Sequence, residues 1–396
     1  MTAILPGATI GFLGGGQLGR MTAFAARAMG YDVQVLDPEA SCAMRPVASR
    51  TITAPFSDVE AAIALASECD VVTLEIEQIH PDVLDAVAAR VPLRPGREPV
   101  WIIQRRSRQK QWLGDQGFPV GPFAIARTAT ELAEAVTRFG PSIAKSVHGG
   151  YDGRGQVRLA EASAAEAAWS AVGGDECLVE QRLDLAVELS VLVARSPSGA
   201  CAVYEPSRNH HTQGTLTWAV APAMVPNERR DAAMALARAI AERLGIVGLL
   251  AVELFITTDG RLLVNELAPR PHNTYHHSER AFATSQFEQL VRAICDLPLG
   301  STSLVGPGAI VNLLGDVWLH ATAPDITGAL EDAEVRLHLY GKAGARAGRK
   351  MGHLSAIGSD ATSALSRVLA AYRRLSPDTI GQFDVHDPVF ETALGH

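Results

Sequence analysis

Cysteine is scarce and poorly placed for cross-linking. The five thiols (Cys42, Cys69, Cys177, Cys201, Cys295) are odd in number, scattered, and never spaced C-x-x-C. Neither a disulfide framework nor a zinc cage is legible in that pattern. Long hydrophobic runs are missing as well. The most apolar stretch, Ile246–Ile256, has eleven residues and carries Glu253, whereas a membrane span needs about 20. The N-terminal run MTAILPGATIGFLGGG has no basic segment ahead of an apolar core, so it does not read as a secretory signal. Basic residues are outnumbered, with 35 Lys and Arg against 43 Asp and Glu for a net charge of −8. Aromatic residues are not interleaved with the basic ones. This balance argues against a chain that coats nucleic acid or an anionic membrane, while leaving room for a local basic pocket. Together these absences predict a reduced, cytoplasmic, soluble enzyme.

What is present supports a large folded core. Of 396 residues, 47% are apolar and 20% charged, close to the globular average, and the length suggests two to four domains at about 100–200 residues each. Strand-like and helix-like patterns alternate over the first third: strands at Thr9–Leu13, Val33–Leu36 and Val71–Ile76, helices at Gln17–Met29, Val59–Ser67 and Pro81–Ala89. That alternation predicts a mostly parallel α/β sheet. Pro92, Pro95 and Pro99 then interrupt it and mark a boundary.

From about Val100 to Gly300 the pattern becomes α+β. Strands are expected at Phe123–Ala126, Ser142–Val147, Gln156–Leu159, Cys177–Gln181 and Val187–Ala194, with helices at Thr130–Arg138 and Asn227–Leu244. The remainder predicts strands at Ala309–Leu314 and Val335–Leu339, a Gly/Lys/Arg loop over Lys342–His353, and a helix at Ala361–Leu375.

Gly14-x-Gly16-x-x-Gly19 follows the first strand and opens the first helix, and Asp37 closes the next strand eighteen residues later. This is nearly a whole dinucleotide-binding fingerprint. Physically it specifies a glycine turn that lets backbone N–H groups and a helix N-terminus approach an anion. A nicotinamide cofactor, a phosphate-bearing substrate and a plain structural turn all fit these residues.

The segment Ala251–Glu266 is more informative. Asp259-Gly260 between two β-rich runs predicts a hairpin with a two-residue type I′ turn. Pairing Thr258 with Arg261 then sets Glu253 opposite Glu266 on one face, with Cα atoms about 4.5 Å apart in a non-hydrogen-bonded pair. Like charges so placed repel. A shared proton or a divalent cation would relieve them, and two hard carboxylates suit Mg²⁺ beside a nucleotide. The alternative is a bulge that turns one Glu to solvent.

Lys145 ends a strand and precedes His148-Gly-Gly-Tyr-Asp-Gly-Arg-Gly-Gln156, which has four glycines in the seven residues 149–155. This suits a loop that closes over phosphates, although a long hairpin loop would explain the glycines alone. The strand Leu178–Leu183 could offer edge backbone groups to a base, and Glu188 follows at ribose distance.

In this order, Lys145, the GGYDGRGQ loop, the VEQ strand and the Glu253/Asn265-Glu266 hairpin resemble the ATP-grasp superfamily. GFLGGGQLGRM (11–21), VTLEIE (72–77), NELAPRPHNT (265–274) and HLYGKAGARAGRKMGH (338–353) extend the resemblance over essentially the whole chain, to the N5-carboxyaminoimidazole ribonucleotide synthetase family of purine biosynthesis. The resemblance implies an ATP-grasp fold with an N-terminal Rossmann-like parallel sheet. It divides the chain into domains at 1–99, 100–300 (with a mobile lid at about 122–183) and 301–396.

It further implies a ligase that uses ATP, Mg²⁺ (or Mn²⁺), bicarbonate and 5-aminoimidazole ribonucleotide, as a homodimer. By resemblance, Arg106 and Lys145 contact ATP phosphates. Gly150, Tyr151, Asp152, Gly153, Arg154, Gly155 and Gln156 form the lid. Glu180, Gln181, Arg182 and Leu183 form the adenine hinge, Glu188 holds the ribose, and His211 and Asn265 line the nucleotide site. Glu253 and Glu266 carry the metal. Arg270, His272 and Asn273 face the bicarbonate and imidazole side, together with Glu75 or Glu77, Tyr151, Asp152 and Arg154. Lys342 and Arg349 clamp the substrate phosphate, helped by Gly16, Gln17 and Leu18 of the glycine turn. Lys145, Asp152 and Arg270 are the expected catalytic residues, with Asp152 orienting the substrate amine.

The chain departs from relatives at Ala268, where many ATP-grasp proteins carry Asn, at Arg105, where Asp is usual, and at Val147-His148. The readings set against this family are a formate-dependent phosphoribosylglycinamide transformylase and an NAD-dependent dehydrogenase. The dehydrogenase leaves Lys145, the lid and the paired glutamates unexplained.

Overall fold

The computed structural model describes residues 2–149, 155–319 and 323–376. Three sheets follow one another along the chain. The first is parallel, with strands β1 (Thr9–Leu13), β2 (Asp32–Asp37), β3 (Arg50–Thr53) and β4 (Val71–Leu74) in the order β3-β2-β1-β4. Helices α1 (Gln17–Ala28), α2 (Val59–Ala66) and α3 (Pro81–Ala88) accompany it. Ile10, Phe12, Val33, Val35, Val71 and Val72 are all buried, as expected where helices cover both faces of a parallel sheet. Leu13 aligns with Leu36 and with Leu74, so the glycine turn, Asp37 and Glu75 emerge together at the carboxyl edge. Ligands of open α/β sheets bind at that edge.

Helices α4 (Arg97–Ile103) and α5 (Arg106–Asp115) lead to a small antiparallel sheet. Its strands β5 (Phe123–Ala126), β6 (Ser142–Ser146), β7 (Gln156–Leu159) and β8 (Cys177–Gln181) run in the order β5-β8-β6-β7. Helices α6 (Ala129–Phe139) and α7 (Ala165–Ala171) close one face over Ala126, Ala144, Leu159 and Val179. Thr128 caps α6, its hydroxyl accepting from the Glu131 N–H, a contact worth about 1 kcal/mol.

The third sheet has nine antiparallel strands: β9 (Leu185–Arg195), β10 (Cys201–Val203), β11 (Ser207–Thr212), β12 (Thr215–Ala221), β13 (Gly248–Thr257), β14 (Leu262–Ala268), β15 (Gly308–Leu314), β16 (Val335–Leu339) and β17 (Lys350–Ile357). They lie in the order β14-β13-β9-β11-β12-β15-β17-β16, with β10 beside β9. Helix α8 (Asn227–Leu244) buries Ala233, Ala237, Ile240, Ala241 and Leu244, one helical face, and stops at Gly245 with φ +66°, the left-handed cap that glycine adopts without strain. The sheet is flanked also by α9 (Ser278–Ala281), α10 (Gln286–Ile294), α11 (Ile326–Ala329) and α12 (Ala361–Leu375).

The third sheet departs from the sequence expectation in one instructive place. Lys342–His353 is not loop throughout, because Lys350–Ile357 is a strand between β15 and β16. Its Gly352 is needed there: an added Cβ would lie 2.4 Å from the His338 carbonyl oxygen. The glycine and basic content read as loop, while the glycine serves the close approach of β17 to its ladder neighbour β16. Among the described residues no helix is long and apolar enough to cross a membrane.

Candidate active site

A cleft of about 1060 Å³ collects side chains from all three sheets. Its foot is the β13–β14 hairpin. Glu253 does pair with Glu266, but Leu254 pairs with Val264, Phe255 with Leu263 and Ile256 with Leu262, the register shifting between Glu253 and Leu254. The expected two-residue turn is therefore wrong. Thr257 N–H donates to the Arg261 carbonyl at 3.0 Å, and Gly260 has φ +84°, which makes a three-residue loop of Thr258, Asp259 and Gly260. One extra residue in the loop and one bulged residue at Asn265 cancel. The bulge brings both Asn265 and Glu266 to the cleft rather than sending a carboxylate to solvent.

The Asn265 amide donates to Glu253 Oε2 at 3.0 Å, His272 Nε2 lies 3.5 Å from Glu253 Oε1, and Arg106 Nη2 lies 3.9 Å from Glu266 Oε1. Burial raises the Glu253 carboxyl above its ordinary range, His211 opposes this, and the charges of Glu266 and Glu188 add to the rise. Two hard oxygen donors in mutual repulsion are a donor set that a divalent cation fits.

Above the hairpin, Glu180 on β8 takes Lys145 at 2.6 Å and Lys110 at 2.7 Å. Burial alone would raise this carboxyl, but the two ammonium groups outweigh it and hold it at about 2. Lys110 is 4% exposed and also donates to the Asn265 carbonyl at 2.9 Å, tying β8 to the hairpin. Sequence reasoning missed Lys110. The usable signal was its place four residues after Arg106, on the same face of α5.

Within the expected hinge, Gln181 N–H donates to the Pro122 carbonyl and Arg182 N–H to that of Pro141, so those two backbone amides are spent on the fold rather than offered at an edge. Leu183 lines the cleft beside them. Glu188 and His211 meet at 2.7 Å. Burial disfavours the charged imidazole, yet the Glu188 contact raises His211 above its ordinary value. Arg106 sits at the start of α5 and donates to the Ser146 carbonyl at 3.1 Å.

The opposite end joins the first and third sheets. Asp37 accepts from Gly15 N–H at 2.7 Å, so its carboxylate holds the glycine turn instead of reaching for a ribose, and the dehydrogenase reading loses its acid. Glu75 fills the turn: Leu18 N–H donates to it at 3.3 Å, and a Cβ on Gly16 would fall 2.4 Å from its Oε1. Burial pushes Glu75 up to about 7, against the opposing pull of Arg270. Glu77 instead pairs with Arg270 at 2.7 Å, which separates the two glutamates that sequence reasoning left equivalent.

Lys342 donates to the Gln17 side-chain oxygen at 2.7 Å and to the Lys350 carbonyl at 2.9 Å. Arg349 donates to the carbonyls of Ala343 and Gly344, bracing its own loop. The carboxamide of Asn273, 7% exposed, has no hydrogen-bond partner on either atom among the described residues, although it lines the cleft. A buried amide left unsatisfied on both atoms is costly. Gly155 and Gln156, the described end of the expected lid, lie beside β6. Gly150, Tyr151, Asp152, Gly153 and Arg154 lie outside the described residues.

Family models match in three blocks: a ribonucleotide synthetase preATP-grasp domain at residues 7–104, an ATP-grasp domain at 111–287, and a phosphoribosylaminoimidazole carboxylase C-terminal domain at 308–367. The N5-carboxyaminoimidazole ribonucleotide synthase of Bacillus subtilis is 42% identical over 354 residues, 89% of this chain and 92% of that protein. The chain belongs to the N5-carboxyaminoimidazole ribonucleotide synthase family. The synthase of Brucella melitensis is 38% identical over 90% of this chain and 98% of its own length.

Among solved structures, the ADP complex of an N5-carboxyaminoimidazole ribonucleotide synthetase superposes with a TM-score of 0.87 at 39% identity, covering 94% of this chain and 98% of the other. The Aspergillus clavatus synthase in complex with ADP and 5-aminoimidazole ribonucleotide gives 0.84 at 29%, covering 93% and 98%. The ATP-grasp fold, its preceding parallel-sheet domain and its small C-terminal domain thus hold for this chain.

Proposed function

We propose that the cleft divides the reaction of its family between two ends, with the β13–β14 hairpin serving ATP and the glycine turn with the Lys342 loop serving the ribonucleotide. The chain is an ATP-dependent carbon–nitrogen ligase of purine biosynthesis, which carboxylates 5-aminoimidazole ribonucleotide with bicarbonate and releases ADP and phosphate. The observation that carries this reading is the face-to-face pairing of Glu253 and Glu266 in a cleft that also holds Lys145, Arg270 and Lys342.

Bicarbonate is a weak electrophile. One of its oxygens bonds to the γ-phosphorus as the bond to the bridging oxygen of ADP breaks, giving carboxyphosphate. The exocyclic amine then bonds to the carboxyl carbon as the carbon–oxygen bond to phosphate breaks, or to CO₂ released by that cleavage, and its proton passes to the departing phosphate. The protein's part is placement and charge compensation. Lys145 and Arg106 would contact the triphosphate, with Lys145 exchanging its Glu180 partner for phosphate oxygens. Glu180 to Leu183 would hold the adenine and Glu188 the ribose, with His211 and Asn265 beside them. Glu253 and Glu266 would hold Mg²⁺ (or Mn²⁺), which when bound supplies positive charge to the phosphates.

Arg270, fixed by Glu77, would face bicarbonate, and His272, Asn273 and Glu75 the aminoimidazole ribonucleoside. Lys342 and Arg349, with Gly16 to Leu18, would hold the 5′-phosphate. Asp152 is the proposed orienting group for the amine, with Tyr151 and Arg154 beside it. Excluding water by the 150–156 lid matters because carboxyphosphate hydrolyses readily. We further propose domain limits at 1–99, 100–300 and 301–396, a homodimeric assembly and a cytoplasmic location.

Phosphate release with aminoimidazole ribonucleotide and bicarbonate omitted in turn tests the assignment. Full turnover is expected only with both present. Stimulation by formate instead of the ribonucleotide would overturn it in favour of the transformylase reading.

A further inference from the structure

Away from this cleft, Glu279, His338 and His353 place one ligating atom each within 4.8 Å of the others. His338 and His353 are direct partners across the β16–β17 ladder, their rings nearly parallel at 11° with centroids 5.2 Å apart. Glu279 reaches them from α9, its Oε2 lying 3.8 Å from His338 Nδ1. The proposed ligase reaction uses none of the three.

Two neighbours shape the cluster. The Tyr340 hydroxyl contacts His353 Nδ1 at 3.0 Å. With Nδ1–H as donor to that oxygen, the lone pair sits on Nε2 and the ring is held in place, as outer-sphere partners do for metal-binding histidines. His276 stacks on the His353 ring at 4.8 Å, and its buried Nε2 has no hydrogen-bond partner among the described residues.

We propose that Glu279, His338 and His353 form a site for a single late first-row divalent cation of the Zn²⁺ or Co²⁺ class, at the stem of the hairpin whose loop carries Lys342 and Arg349. Two imidazoles and one carboxylate suit such ions, whereas Mg²⁺ prefers oxygen ligands alone. The site therefore differs in chemistry from the Glu253/Glu266 pair. Three protein ligands leave a fourth tetrahedral position to water. Glu279 and His338 are partly exposed, at 40% and 24% of the side chain, and can rotate to close the remaining distance.

The test uses the full chain, stripped with a chelator and titrated with Co²⁺ alone while the visible absorption of tetrahedral cobalt is followed. Wild type is expected to saturate at a single equivalent, to keep its spectrum in excess Mg²⁺, and to keep it in Glu266→Gln. His338→Gln and Glu279→Gln, at partly exposed positions, should each weaken binding by roughly tenfold or more, at or above the loss that outer-sphere changes cause. The proposal fails if wild type shows no tetrahedral spectrum, or if Mg²⁺ or Glu266→Gln abolishes it. It fails equally if both cluster variants bind cobalt as wild type does.

Discussion

Glu180 and Glu75 are the same acid at the two ends of one cleft, and their surroundings drive them in opposite directions. Burial alone would raise both. At Glu180, Lys145 and Lys110 stand within 2.7 Å and win, holding the carboxyl at about 2. At Glu75, Arg270 and the Leu18 N–H at 3.3 Å do not outweigh burial, and the carboxyl rises to about 7. The contrast teaches how the two ends are built. At the proposed nucleotide end the Glu180 carboxyl is balanced by two lysines, of which Lys110 is tied to the hairpin and Lys145 can pass to a phosphate. At the proposed ribonucleotide end, Lys342 donates to the neutral oxygens of Gln17 and Lys350, which a phosphate can displace, and its charge also bears on Glu75.

The sharpest way to break this picture is Glu266→Gln. It keeps the side chain's volume and removes one of the paired charges, so ATP turnover should fall by about 10²–10³-fold. The melting temperature should stay close to that of wild type, because Glu266 is 43% exposed at the cleft. Phosphate release and a thermal melt on one preparation check both. A fall smaller than about tenfold would detach the glutamate pair from ATP chemistry.

Lys110→Met comes next. It leaves Glu180 with a single lysine and removes the tie to the Asn265 carbonyl, so urea unfolding should show a loss of about 3 kcal/mol. A loss below about 1 kcal/mol would mean that Lys145 alone balances Glu180, as expected for an exposed pair rather than a buried one.

The nucleotide end was the more legible in sequence because its parts are local. Phe123–Ala126, Gln156–Leu159 and Cys177–Gln181, in the sheet that carries Lys145 and Glu180, fall where periodicity sets them. The facing of Glu253 and Glu266 was legible for a less secure reason. A one-residue slip in pairing moves a side chain to the other face. The three-residue loop and the Asn265 bulge are two such slips, and they restore each other.

The ribonucleotide end is assembled over distance. The Lys342–Gln17 contact spans 325 positions, which no local pattern encodes. The nucleotide end had its own hidden strand: the polar run Ser207–Thr212, which carries His211, reads as no strand because its neighbours, β9 and β12, supply the pairing. The division of labour between Glu75 and Glu77 depended on where Arg270 lands, a fact of the third sheet and not of the first.

Lys342→Ala sharpens the comparison from the other end. The KM for aminoimidazole ribonucleotide should rise by roughly tenfold, the scale of one lost charge-assisted contact, while the KM for ATP should change by less than about twofold. Steady-state kinetics with each substrate varied in turn decides it. Equal rises in both would mean that the loop supports the whole cleft, and the two ends would no longer be separable.

The smallest effect is the most direct test of the contrast. The Glu180 carboxyl lies below its ordinary value of 4.5, so the stability it contributes is full above that pH and is lost as pH falls through about 2. The Glu75 carboxyl lies above 4.5, so its contribution is full below that pH and is lost as pH rises through about 7. Each group changes the pH slope of unfolding free energy by at most one proton, about 1.4 kcal/mol per pH unit. Urea midpoints on either side of each window should therefore show Glu180→Gln flattening the acid limb and Glu75→Gln flattening the decline towards neutrality. If both substitutions bend the same limb, the two carboxyls share one electrostatic environment, and the balanced end and the waiting end are one.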